Sequence, residues 1–114
     1  MAEKITIIAG EVEMTATLVE SDAARALVEA LPIESKAERW GDEIYFRIPL
    51  EREGENLQEK VSSGAVAYWP PGNAFCIFFG QTPYSPVEVL GAVDGNEREF
   101  AEVEERARVR LEKV

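Results

Sequence analysis

The sequence contains no histidine, one cysteine and two methionines among its 114 residues. Without histidine there is no histidine-based triad, no ordinary zinc site and no imidazole base working near neutral pH. A single cysteine excludes an internal disulfide framework and makes a reducing compartment the natural home. Cations are also scarce: 12 Lys and Arg stand against 22 Asp and Glu, for a net charge of −10. Phosphate backbones repel such a chain, so nucleic acid is not an expected partner, and the acid excess itself reads as solubility. The opening MAEKITIIAG has a charged pair and then a short apolar run. That is neither a secretory signal nor a membrane span, so a cytoplasmic protein without a membrane partner is expected. The glycines at 64, 72 and 80 are spaced as turns and form no phosphate cradle, and Asp94-Gly95-Asn96-Glu97 lacks the ligand series of a calcium loop. No metal and no cofactor are expected.

What is present is the balance of a soluble globular chain, 46% hydrophobic and 30% charged. Its length is that of one domain, residues 1–114, with a core that needs no metal or disulfide. The charged surface, poor in Gln, Asn, Met and Cys, is thermophile-like in composition.

Residues 4–9 and 12–19 read as two strands joined at Gly10-Glu11, where glycine supplies the positive φ of a type II′ turn. Ser21 is placed to cap a helix whose apolar stripe is Ala24, Leu27, Val28 and Leu31, ended by Pro32. Residues 33–40 read as a polar edge strand, and Gly41-Asp42 turns it into residues 43–48, the cleanest alternation in the chain. There Ile44, Phe46 and Ile48 point inward, and Tyr45 and Arg47 outward. EREGENLQEKVSSG at 51–64 reads as a long surface loop with one helical turn.

The stretch AVAYWPPGNAFCIFFG is the densest in aromatic residues. Two strands, 65–69 and 74–79, flank a Pro-Pro-Gly-Asn turn in which the prolines fix φ and glycine permits the reversal. Phe75, Ile77 and Phe79 share one face of the returning strand; Ala74, Cys76 and Phe78 share the other. Both faces are apolar, so the strand is covered on both sides or lines a groove. A loop with Gln81 and Tyr84 leads to a strand at 87–93. The tail fits a helical stripe or a strand equally, and a short helix near 97–102 followed by a strand is the preferred reading. Seven or eight short strands with one or two short helices predict a closed antiparallel β-barrel.

GDEIYFRIP at 41–49, AYWPPGNAFCIFFGQTP at 67–83 and VEVLGAV at 87–93 resemble the small archaeal and bacterial cyclophilin-like proteins. The resemblance implies a compact cyclophilin-like barrel with the fold of the peptidyl-prolyl isomerases, in a family mostly of unassigned function. Tyr45-Phe46-Arg47-Ile48 is similar to the cyclophilin string that carries the catalytic arginine, which implies that role for Arg47. The sequence departs from the pattern elsewhere. Ala74 and Cys76 stand where cyclophilins carry a glutamine and a groove-floor phenylalanine, Val87 falls near a histidine position, and Tyr84 is the nearest aromatic to the groove tryptophan.

Three functions stay open. The first is a binding module for a peptide segment or small molecule. Its shallow outer-face groove would be built from Tyr45, Trp69, Cys76, Phe78, Gln81 and Tyr84, with Arg47 anchoring a carbonyl or carboxylate. The second is a weak proline isomerase using Arg47 as its catalytic group. The third makes the apolar outer face a homodimer interface. Cys76 has no histidine to activate it and reads as a packing residue.

Overall fold

A computed structural model describes residues 3–80 and 85–114. The strands are β1 (Lys4–Ala9), β2 (Val12–Leu18), β3 (Ile33–Lys36), β4 (Glu38–Arg39), β5 (Glu43–Arg47), β6 (Ala65–Trp69), β7 (Ala74–Phe78), β8 (Glu88–Val93) and β9 (Arg108–Lys113). One α-helix, α1 (Asp22–Glu29), follows β2. Two 3-10 helices lie at Pro70–Gly72 and Glu97–Glu102. The nine strands form one sheet in the order β3-β9-β1-β2-β8-β6-β7-β5-β4, with antiparallel pairing throughout.

The two ends of that order, β3 and β4, are consecutive in the chain and separated only by Ala37. The segment expected to be a single edge strand therefore belongs to both ends of the sheet. β3 pairs with β9 and β4 with β5, and the sheet curls into a nearly closed barrel. Two backbone hydrogen bonds fix the joint: the Ala37 amide donates to Ala107 at 2.8 Å, and the Arg106 amide donates to Ala37 at 2.7 Å. This split is why nine strands form where seven or eight were expected.

Local chemistry places most elements where the sequence suggests. Gly10 takes φ +60 in the two-residue turn between Ala9 and Val12. The Ser21 hydroxyl accepts the Ala24 amide at 3.1 Å, and Asp22 sits in the first turn of α1, where the helix dipole favours negative charge. Ala23, Ala24 and Leu27 bury the inner stripe of the helix. The turn after Trp69 differs from expectation. Asn73, not Gly72, adopts the left-handed conformation at φ +48. Gly72 is needed for a different reason: a Cβ there would stand 2.5 Å from Cζ3 of the Trp69 ring.

The main core fills the barrel with Ile5, Ile7, Leu18, Ile44, Phe46, Tyr68, Phe75, Ile77, Leu90, Phe100 and Leu111, among others. A bulge at Val66/Ala67 breaks the alternation of β8, so Leu90 faces this core. The Tyr68 hydroxyl stays satisfied there by donating to the Leu50 carbonyl at 2.9 Å. The loop at 51–64 has no helical turn, contrary to expectation. It is tied down as a strap instead. The Glu55 amide donates to the buried Glu88 carboxylate at 3.1 Å, Gln58 and Val87 exchange backbone bonds of 2.8 and 3.0 Å, and the Gly64 amide donates to Phe78 at 2.6 Å. A polar segment gains nothing from a helical stripe when its backbone partners lie on neighbouring strands.

Candidate functional site

The outer faces of β5, β7 and β6 are fixed by register. Three rows run across the strands: Glu43–Phe78, Tyr45–Cys76–Ala67 and Arg47–Ala74–Trp69. Residues paired directly across antiparallel strands share a face. Phe46, Phe75 and Ile77 lie on the opposite face, in the main core.

These rows divide into a covered part and an open part. Ala65, Ala67, Cys76, Phe78 and Val87 form a second apolar cluster, with Tyr45, Val61 and Trp69 packed at its margin. Cys76 is 2% exposed and Phe78 is fully buried, with Val61 of the strap packed against their cluster. Burial pushes the Cys76 thiol well above its ordinary range. The nearby Glu43 charge and the hydrogen bond between the two side chains add to the rise. The Glu43 carboxyl is itself raised to about 7 by burial, a rise only partly offset by the bond from Cys76. The thiol therefore stays protonated near neutral pH and is a packing group.

Tyr45 and Trp69 form the half-exposed margin. Their rings meet edge to face with centroids 6.3 Å apart, and the Trp69 indole donates to the Ser85 hydroxyl at 2.5 Å. The Tyr45 phenol is raised, first by burial and then by the charges of Glu38, Glu43 and Glu105.

Arg47 is exposed and opens on a different feature. Beyond Ala37, β3 and β5 diverge and leave a cleft of about 520 Å³, lined by Glu34, Lys36, Glu38, Arg47, Arg106 and Arg108. Ser35 and Val109, which alternate with these outward residues, complete the lining, and Val109 is part of the main core. Tyr45 and Trp69 are not among the cleft's lining residues. A second cleft of about 530 Å³ lies between the strap, at Gln58, Lys60 and Val61, and Ala65 and Val89 of the sheet. Gln81 and Tyr84, expected in the groove, lie outside the described residues. Among the described residues no group of three or more His, Cys, Asp or Glu side chains is arranged to hold a metal ion.

Sequence reasoning missed Lys36, Arg106 and Arg108 as neighbours of Arg47. The signal available was RARVR at 106–110, three alternating arginines in a chain short of cations. It also missed the strap as the cover over Cys76 and Phe78.

A family model described as cyclophilin-like matches residues 3–112. The chain belongs to the cyclophilin-like family. A hypothetical protein from Archaeoglobus fulgidus, known from its solution structure, is 36% identical to this cyclophilin-like chain. It superposes with a TM-score of 0.82 over 99% of this chain and 95% of its own. McbB, solved in complex with tryptophan, has a TM-score of 0.77 at 19% identity over 96% of this chain and 44% of its own, a likeness of fold alone. No curated protein matches the chain. The described residues of the cyclophilin-like barrel include no helix long and apolar enough to cross a membrane.

Proposed function

We propose that this cyclophilin-like domain is a binding module for a small molecule or peptide segment, held on the outer face of β5 with Arg47 as its anchor. One observation carries the reading. In a chain of net charge −10, Arg47 is exposed and has no ion-pair partner among the described residues. A guanidinium left unpaired in an acid-rich protein is available to a carbonyl or carboxylate, which it can grip with two parallel hydrogen bonds. Tyr45, two residues back on the same face, and Trp69, in the same row beyond Ala74, add aromatic surface on that face. A cytoplasmic, reducing setting suits the single buried free cysteine. The test is thermal-shift screening of wild type and Arg47→Ala against small carboxylates, uncharged aromatics and short peptides. Stabilisation of wild type that is lost in the variant supports the reading. Shifts equal in both proteins, or none in either, overturn it.

Arg47 also supports a second reading, weak proline isomerisation. Rotation of an X–Pro bond must cross a barrier of about 18–20 kcal/mol set by amide resonance, and an arginine hydrogen-bonded near the proline amide can lower it without acid, base or metal. Equal, background-level rates for wild type and Arg47→Ala in a proline-peptide assay dismiss this activity.

A further inference from the structure

We propose that the cleft between β3 and β5 binds a small multivalent oxyanion, a ligand carrying a phosphate group or several carboxylates. This rests on the reading of Arg47 as a ligand anchor and names the class of ligand. Four cations line the cleft, Lys36, Arg47, Arg106 and Arg108, against two carboxylates, Glu34 and Glu38. Glu38 is engaged by Arg106, and Glu34 lies 3.3 Å from Arg110. Lys36, Arg47 and Arg108 have no ion-pair partner among the described residues.

The register makes this surplus costly. Lys36 stands directly opposite Arg108 across the β3–β9 ladder, and like charges so placed destabilise a sheet. The next outward rung of the same ladder, Glu34 opposite Arg110, is complementary. On the far side of the barrel Asp94 gathers Lys4, Thr15 and Thr17 at 2.6–2.8 Å. The unmatched rung therefore stands out in a chain with acids to spare, and an anion between the two cations removes the repulsion.

The cations are also held in place. Lys36, Arg47 and Arg108 project from three strands. Arg106 is fixed at φ +71 by the turn whose backbone bonds to Ala37 join the sheet ends. β3 pairs with β9 and β5 with β4 and β7, so among the described residues no backbone ladder joins β3 to β5 at the cleft. At −10 the whole chain repels a long polyanion. Within a Debye length of about 8–10 Å the local cations dominate, which favours a compact anion over a nucleic acid.

The experiment measures the thermal midpoint and ligand affinity of the full chain with pyrophosphate, citrate and acetate, each matched in ionic strength by sodium chloride. Wild type is stabilised by pyrophosphate or citrate beyond the chloride control. Lys36→Glu, which turns the like-charge rung into an ion pair, melts higher without ligand and binds the anion at least about tenfold more weakly. A response to pyrophosphate without one to citrate identifies a phosphate-bearing ligand, and the reverse a polycarboxylate. No shift with either anion, or a shift unchanged in Lys36→Glu, overturns the proposal. If acetate or an uncharged aromatic then still stabilises wild type but not Arg47→Ala, the Arg47 reading survives alone; if nothing does, both fall.

Discussion

Two halves of one sheet face have opposite fates. At the Glu43–Phe78 end, the outward side chains of Ala65, Cys76 and Phe78 are apolar and buried, with Val61 of the strap packed against them. At the other end Arg47 is charged, exposed and without an ion-pair partner among the described residues. Both halves come from the same short strands, separated by four residues along β5. Neighbouring segments make the difference: a polar loop that pins its backbone to β7 and β8 on one side, and a divergence of β3 from β5 on the other. Exposure of an outward residue is thus decided by what crosses over it as well as by its parity.

The largest effect that tests this division belongs to the covered half. Phe78→Ala removes a fully buried ring and is expected to cost about 3–5 kcal/mol in chemical denaturation. A cost near zero would mean that the strap covers nothing of consequence. Gly72→Ala comes next. The new methyl group collides with the Trp69 ring at the margin between the halves, so a loss of about 1–3 kcal/mol and a changed tryptophan emission are expected.

Glu43 gives the covered half a pH signature. Its carboxyl is raised from 4.5 to about 7, so between those values the folded protein keeps a proton that the unfolded chain releases. Stability therefore falls as pH rises through that window. Glu43→Gln should flatten this dependence, as read from denaturation midpoints at pH 5 and pH 8; parallel curves for the two proteins would remove Glu43 as the cause. The smallest effect belongs to the open half, where Arg47→Ala should change stability by no more than about 0.5 kcal/mol while altering ligand response. A larger loss would show that Arg47 packs as part of the fold.

Alternation carried most of the architecture into view. Ile44 and Phe46 inward with Tyr45 and Arg47 outward was legible because a half-buried strand writes its two faces at period two. The Ser21 cap was legible from local chemistry. The tail's pattern fitted helix and strand equally, and the preferred helix-then-strand reading matches the 3-10 helix at Glu97–Glu102 and β9. The division of the site was not legible. Nothing in the polar stretch 51–64 encodes what it lies against, so the choice between a covered and a groove-lining outer face at Cys76 and Phe78 stayed open. Lys36 and Arg108 meet Arg47 only through pairing between distant segments, and no local pattern reports that meeting. The Asn73 swap has a simpler cause: asparagine tolerates the left-handed region, and the glycine beside it was required by a ring instead.

The joint at Ala37 has a consequence for how this molecule behaves in a crowd. Most open sheets end in two strands whose unpaired amides and carbonyls invite another chain to add on, the first step toward aggregation. Here both ends belong to one continuous segment, and the cleft between β3 and β5 is lined by lysine and arginine. Charged side chains in that position oppose pairing with the edge of another strand.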